Sequence, residues 1–546
     1  MNNGYIGGPA YPQPYVDGGG TINSYKWYVT MVDLSIGEWR RPDYWLSLPR
    51  MVQGDQRFAG LYAVFKGASG NTGTTADSNY IALQIALENA GHSYFVDWGD
   101  GTVTRHASNS RAQYQYNWAN IPASTETPEG YRQVVIQAYP GTGFTMTTFD
   151  MRPNYTAAGI TLNNQRTTGW LDLKIAGPEL TTLYFQQYAV NNFRNYLVKQ
   201  VEVVGTMKLT GPGHGFGNFQ ALERVIGTEW TGTLSDMGGF FSTCLMLKHI
   251  PLLDTRRNTN MIYFILDCRA LERFPPIDTS NVTTFLQLAQ EGSGGGGSLR
   301  SIPILNTSKV QTWETAFQRQ RCIRSIPNLD FSAATNIIGL FSQCSDLIKV
   351  PPIVAPNATS LRDLFAACQT LTDIAGVCAP NATDASNMFL NCYALQKVPS
   401  INTSKITNFT NMFGRCFSLT NVPQIDTSAG ITFTNMFDSM SSLTQLPQLN
   451  LNGASAGSTA AGAGPLLNIF GSGSGLDFSL RRATMLNTRR SISYAGLSLS
   501  ASELNSIFRG LADVSAHGAT ITITNNWGTA LCDRTIATSK GWTVVG

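Results

Sequence analysis

A 24-residue period running from about Leu222 to Leu451 constrains this chain more than any other feature. One copy, from Thr403, reads TSKITNFTNMFGRCFSLTNVPQID, and the next, from Thr427, reads TSAGITFTNMFDSMSSLTQLPQLN. The aromatic of a recurring F-x-x-C-x-x-L-x-x-[IV]-P core falls at Phe241, Phe317, Phe341, Phe365, Phe389, Phe413 and Phe437, the last six spaced by 24 without a break. A fixed short period predicts a solenoid, in which each repeat buries its apolar face only against its neighbours. Such a chain offers a long surface rather than a catalytic pocket, so binding or structure is expected before catalysis.

Within a repeat, Ile406, Phe409, Phe413 and Cys416 lie three or four apart, which predicts one face of a short helix capped by Ser404, with Ser428 as its counterpart in the next copy. Leu419-x-x-Val422-Pro423-x-Ile425 predicts a short strand that bends at Pro423. Stacked in parallel, nine or ten such rungs would span roughly 40–50 Å. Cys244, Cys268, Cys344, Cys368, Cys392 and Cys416 share one repeat position, which holds Gln320 or Met440 elsewhere. That exchange predicts a small apolar core site and a stack of reduced thiols. No CxxC or Cys/His spacing occurs, so neither a metal nor any other cofactor is expected. The stretch EGSGGGGS from Glu291 to Ser298 lengthens one repeat to 28 residues and predicts a bulged loop. Ala355-Pro356-Asn357 and Ala379-Pro380-Asn381 replace the usual Asp/Asn-Thr-Ser turn.

Outside the period the chain predicts further units. At 546 residues it has room for roughly three domains. Residues 1–50 read as an arm for docking, rich in Gly and Pro early, with Trp39, Tyr44 and Trp45 either anchoring a partner or capping the next domain. Residues 51–160 alternate apolar and polar residues between Gly- and Asn-rich turns, which predicts a β domain. In it, Gly99 and Gly101 supply a tight turn whose amides Asp97 and Asp100 can satisfy; a Ca²⁺ site on those two carboxylates is the weaker alternative. Residues 161–452 form the solenoid with a degenerate start, 453–465 a Gly/Ala/Ser linker, and 466–546 a cap. In the cap, Ser500 to Glu503 is a capping box that starts a helix, followed by a strand at 520–524, a helix at 530–539 and a strand at 541–545.

Three resemblances attach to these residues. Val96 to Thr102 (VDWGDGT), with Tyr116 and Gly130 to Val134 (GYRQV), resembles the signature of PKD-type β-sandwich domains. The 24-residue unit resembles the leucine-rich repeat of BspA-type bacterial surface proteins, most closely over residues 403–419. The ending ELNxIFxxLA…TITITxN…GW looks like the terminal module of repeat proteins encoded by tailed bacteriophages. Together they imply a multidomain chain: a PKD-like β-sandwich, an α/β leucine-rich-repeat solenoid and an α/β C-terminal cap.

Charge is sparse at 13% and the net charge of +3 is dispersed, so no nucleic-acid partner is expected. No stretch approaches the roughly 18 apolar residues of a membrane span, and the N-terminus lacks the basic start and apolar core of a secretory signal. The five histidines lie far apart, none in a hydrolase motif, and Gly211 to Gly217 lacks the Lys-Ser/Thr of a phosphate loop. Paired carboxylates of a glycoside hydrolase would meet only in the fold; nothing in the sequence marks them. One pattern points to a ligand: Lys248, Arg273, Arg300, Arg324, Lys349 and Lys397 follow the first Leu or Ile of six strands. As a stripe they could meet an anionic glycan or a lipopolysaccharide phosphate. They alternate between the first and second place after that residue, with Glu272 and Asp373 interrupting, and the plainer reading is a soluble sheet face. Arg481, Arg482, Arg489 and Arg490 form a second cluster, read as surface or subunit contact.

The expectation is therefore a non-enzymatic structural protein of a tailed-phage virion, a tail fibre or other appendage, assembled in the host cytoplasm. Its N-terminal region would bind other virion proteins, its solenoid a host surface glycan or receptor, and the chain would form a homo-oligomer without membrane insertion. The alternatives are a purely architectural collar, baseplate or head-decoration protein, or a bacterial BspA-like adhesin.

Overall fold

The computed structural model describes residues 40–66, 79–153, 156–157, 160–161, 169–185, 197–209, 215–227, 229–230, 234–292, 296–452, 469–470, 480–483 and 485–546. The chain divides into two compact units, Met1–Pro42 and Asp43–Gly546; only residues 40–42 of the first are described, and every element named below belongs to the second. Most of the predicted arm with Trp39, all of the linker at 453–465, and the glycine-rich 211–214 lie outside the described residues.

The β domain begins with β1 (Arg57–Phe65), β2 (Tyr80–Leu87), β3 (Ser93–Asp97), β4 (Val103–Ala107), β5 (Arg111–Gln115), β6 (Tyr131–Pro140) and β7 (Met146–Asp150). One sheet has the order Thr182–Tyr184, β7, β2, β5; the other runs Arg224–Ile226, Gln200–Val204, Trp170–Ala176, β1, β6, β3, β4. Alternation puts Phe58, Tyr62, Ile81, Leu83, Ile85, Val96, Ile136 and Phe149 in one buried cluster. The β3–β4 turn closes with Trp98 N donating to Thr102 O at 3.0 Å. Asp97 Oδ1 accepts from Gly99 N and Asp100 Oδ1 from Thr102 N, while Tyr114 hydroxyl donates to Asp100 Oδ2 at 2.6 Å. Gly99 has φ +79° and a Cβ there would lie 2.5 Å from Val135 O, so only glycine fits. Trp45 is buried, its Nε1 donating to Tyr131 hydroxyl at 3.1 Å, so this residue caps the β domain.

The sheet does not stop at the β domain. Trp170–Ala176 pairs antiparallel with β1 on one side and parallel with Gln200–Val204 on the other, which in turn pairs parallel with Arg224–Ile226. The antiparallel β domain thus covers the first edge of a parallel ladder, which would otherwise present unpaired backbone groups. Beyond it, parallel bridges repeat every 24 residues: Asp236–Asn260–Thr284, then Thr312–Asn336, and Ser360–Asp384–Asn408–Thr432. Thr284 pairs with Thr312, 28 residues on, so the insertion after Glu291 is absorbed within one rung and the register resumes.

The predicted helix within each repeat is absent; among the described residues the α-helices are Ala501–Gly510 and Thr535–Thr538, both near the C-terminus. The backbone accounts for the difference. Amides of Phe409, Asn411, Phe413 and Arg415 donate forward to Thr432, Thr434, Met436 and Asp438 of the next rung. Those of Met412, Gly414 and Cys416 close turns onto Phe409, Asn411 and Phe413, three residues back. Two residues per rung hold left-handed backbone, which no α-helix tolerates: Asn411 (φ 53°) and Arg415 (φ 60°), matched by Asn387 and Asn391, Asp363 and Ala367, and Asn435 and Ser439. The three-to-four spacing of apolar residues therefore marks inward positions around a tight coil. Ser404 is not a helix cap; its amide donates to Asn402 Oδ1 at 3.1 Å in an Asx turn, as that of Ser428 does to Asp426.

Rungs are joined by stacked columns. Phe317, Phe341, Phe365, Phe389, Phe413 and Phe437 stack at centroid distances of 6.0, 6.2, 5.9, 5.8 and 5.8 Å, with ring planes within 10°. The opening threonine ties two rungs: Thr427 Oγ1 donates to Asn450 O and accepts from Asn450 N, both at 2.8 Å. Where alanine replaces that threonine, the backbone pairs directly, as in Ile353–Val354 against Val377–Cys378 and Ala355 N to Cys378 O. The described part of the C-terminal region continues the parallel stacking, with Ile492–Ser493, Ala519–Thr522 and Trp542–Val545 in one sheet. Ser500 Oγ caps helix α1 (Ala501–Gly510) by accepting from Glu503 N, and Glu503 Oε1 accepts from Ala483 N of the preceding rung. The helix expected over 530–539 shortens to Thr535–Thr538.

Candidate functional site

In the repeats a buried leucine or isoleucine is followed by two exposed or half-exposed residues and then a second apolar one, as in Leu347, Ile348, Lys349 and Val350. Parallel stacking turns these two exposed places into two adjacent columns. The first contains Lys199, Glu223, Lys248, Glu272, Arg300 and Arg324; the second contains Arg224, His249, Arg273, Ser301, Ser325, Lys349, Asp373 and Lys397. The six basic residues singled out from the sequence divide three and three between the columns: Lys248, Arg300 and Arg324 in the first, Arg273, Lys349 and Lys397 in the second.

The first column alternates in sign over its first five rungs, and its charges pair along the ladder. Glu223 accepts from Lys199 Nζ at 3.3 Å and lies 3.5 Å from Lys248 Nζ; Arg300 Nε lies 3.1 Å from Glu272 Oε2. The side chains of Arg300 and Glu272 are 71% and 47% exposed, so that pair is screened and holds little stability. Lys248 and Arg300 are thereby partly neutralised. Arg273, Arg324, Lys349 and Lys397 have no ion-pair partner among the described residues. Arg273, Arg324 and Lys349 fall within four consecutive rungs, and Lys397 is set apart from them by the rung of Asp373. The structure thus replaces the predicted stripe with a mixed-charge column beside a small basic group. Glu223 and Lys199 escaped sequence reasoning because the repeat is degenerate there; their place just after Val198 and Leu222 was the available signal.

A second exposed feature lies outside the sequence expectations. Tyr393 and Phe417 stack at 5.2 Å with 19° between planes, on the outside of the coil, and Phe417 is 39% exposed. Both stand two residues before the buried leucine of their rung, so the period itself pointed to their contact. Near the C-terminus, the Arg481 guanidinium lies 5.2 Å over the ring of Trp527, which is 65% exposed.

The six stacked thiols offer no chemistry. Cys244, Cys268, Cys344, Cys368, Cys392 and Cys416 are buried and free, and each donates to a backbone carbonyl of the preceding rung at 3.1–3.2 Å. Burial pushes the thiols of Cys344 and Cys392 up to about 12, far above nucleophilic use at neutral pH. At the altered rung Gln320 takes the thiol's place, its Nε2 donating to Ala289 O. Among the described residues no group of three or more His, Cys, Asp or Glu side chains could hold a metal ion, and no helix is long and apolar enough to cross a membrane.

No curated protein matches the chain significantly. Solved structures with distant likeness include three leucine-rich-repeat proteins. The TLR13–ssRNA13 complex is 13% identical over 67% of this chain, with a TM-score of 0.21, and the match spans 57% of the TLR13 chain. The functional domain of InlJ from Listeria monocytogenes, described as including a cysteine ladder, is 12% identical over 69% of this chain and 74% of its own, with a TM-score of 0.14. The plant peptide hormone receptor RGFR1 in complex with RGF2 is 12% identical over 64% of this chain and 75% of its own, with a TM-score of 0.13. Residues 296–397 and 359–455, within the most regular rungs, match the model of a family described as "Mycoplasma protein of unknown function, DUF285".

Proposed function

We propose that this chain is a non-enzymatic recognition protein, in which a leucine-rich-repeat solenoid presents an adhesive outer face and a PKD-like β-sandwich seals its first edge. The observation that carries the reading is the pair of columns running along the rungs, with Arg273, Arg324 and Lys349 unpaired within four consecutive turns. A rigid repeat spaces these cations at whole multiples of the rung interval, a geometry suited to a polyanion such as an acidic surface glycan. We place the protein on a tailed-phage virion, in a tail fibre or similar appendage, on the resemblance of its ending from Glu503 to Trp542. The match of residues 296–455 to a Mycoplasma family favours a cellular bacterial origin, and the resemblance of the 24-residue unit to BspA-type repeats makes an adhesin the second reading.

The test uses the full-length protein on immobilised heparin as the probe polyanion. The triple substitution R273Q/R324Q/K349Q is expected to lower the salt concentration for elution well below that of wild type, because exposed charges act through screened attraction. The control K248Q/R300Q, which removes paired cations, should elute close to wild type. Equal elution of all three proteins would reject the basic group as the binding surface. Gold-labelled antibody on purified virions decides between appendage and cell surface.

A further inference from the structure

The insertion that lengthens one rung begins directly after Glu291, and between Leu222 and Leu451 this residue is the one buried carboxyl among the described residues. Its side chain is 1% exposed. It takes the register position of Asp267 one rung earlier and Arg319 one rung later, so two carboxyl groups are stacked in adjacent turns. On the earlier rung are Asp267, the buried Cys268 thiol and Arg269, whose Nε lies 3.3 Å from Asp267 Oδ1 but 3.9 Å from Glu291 Oε2. On the later rung, Gln320 Nε2 donates to Glu291 Oε1 at 3.2 Å and Arg319 Nη1 donates to the Glu291 carbonyl at 3.2 Å. Gly292 N donates to Asp267 Oδ1 at 2.8 Å. Glu291 Oε2 is buried without a hydrogen-bond partner among the described residues. A buried carboxylate oxygen left so, beside a second carboxylate, is costly; a carboxylic acid there costs far less and can share its proton with Asp267.

We infer that Glu291 is protonated in the native ladder and that the Glu291–Asp267 pair is an acid-held clamp at the rung lengthened by the insertion, released as the carboxyl ionises. Burial, then the Asp267 charge, raises the Glu291 carboxyl to about 8. The folded chain therefore binds a proton that the unfolded chain gives up near the ordinary 4.5, so this group's contribution weakens as pH rises from about 4.5 to about 8 and then levels off. Local loosening at the irregular rung would let the two regular halves of the ladder flex about it, in response to alkalinity.

The experiment is hydrogen exchange on the full-length protein at pH 6 and pH 9, corrected for intrinsic exchange, with Glu291→Gln as the comparison. Wild type is expected to lose at least tenfold protection at pH 9 in peptides covering 284–292 and 312–322, with peptides covering 384–414 unchanged. Glu291→Gln, which keeps the shape without the charge, should show the same protection at both pH values. Isotope-edited infrared spectroscopy gives a reading independent of stability: a protonated-carboxyl band at pH 6 that disappears by pH 9 and is absent from Glu291→Gln. Lack of that band at pH 6 in folded wild type, or equal loss of protection in wild type and variant, overturns the inference.

Discussion

The Cys416 thiol donates to the backbone carbonyl of Phe389, one rung back, at 3.2 Å. The same bond joins Cys392 to Phe365 and Cys368 to Phe341, so each thiol sits under the carbonyl of a residue whose ring is itself stacked. Aromatic and thiol columns are therefore two sides of one inter-rung joint. Cysteine fills this position with a small donor that is not strongly polar.

Accessibility to a thiol reagent follows from that joint. In the native protein at neutral pH, Cys322 and Cys378, both exposed, should react rapidly with Ellman's reagent. The six buried thiols should react only as fast as the chain unfolds. The buried thiols also set an alkaline limit. Cys344 and Cys392 are raised from 9.0 to about 12, so the unfolded chain ionises first and stability falls from about pH 9 upward. Rapid titration of more than these two thiols and the half-buried Cys532 in native buffer would contradict the packing.

Much of this architecture was legible from the period, and the part that was not has a specific cause. Recurrence of Phe, Cys and Leu in phase located the buried columns, because a stacked repeat must place equivalent residues in equivalent environments. Spacing alone misassigns the local conformation at Ile406, Phe409, Phe413 and Cys416, since intervals of three to four are shared by an α-helix and by a coil of successive turns. The distinguishing signal was Asn at 387, 411 and 435 with Asp363 and Gly339, residues that tolerate left-handed backbone. The basic residues were found by their place after the leucine, yet their pairing depended on which rung neighboured which. Lys199 and Glu223 occupy degenerate rungs, where the period no longer announces register.

Asn411 separates the two conformations by mutation. Its φ is 53° and its Nδ2 donates to Asn387 Oδ1 at 2.9 Å. Asn411→Gly loses that bond, worth about 1 kcal/mol, but relaxes the backbone. Asn411→Ala loses the bond and keeps the strain, which costs about 1–2 kcal/mol more. Glycine should therefore be the more stable variant by urea denaturation. A helical repeat would rank them the other way, with glycine worse by about 1 kcal/mol.

Asn258 is a fault that can be repaired. It is fully buried at the place held by Val282, Val310 and Ile406 in other rungs, and neither its Oδ1 nor its Nδ2 has a hydrogen-bond partner among the described residues. Leaving buried polar groups unmet costs about 1–3 kcal/mol. Asn258→Val should raise the urea midpoint by a corresponding amount with an unchanged slope. A lower midpoint would mean that the amide is satisfied in solution.

The aromatic column makes its own prediction, because stacking differs from simple burial. Phe341 and Phe365 lie 6.2 Å apart with 7° between planes, and both are fully buried. Replacing either with leucine keeps most of the apolar volume and should cost about 1–2 kcal/mol, since shape changes in a packed interior are felt. In a double-mutant cycle the pair should couple by about 0.5–1.5 kcal/mol, the range of aromatic pairs beyond their area. Phe341 and Phe413, three rungs apart and without shared contact, should be additive within about 0.5 kcal/mol. Coupling of equal size in both cycles would assign the effect to a change in the whole ladder and not to the rings in contact.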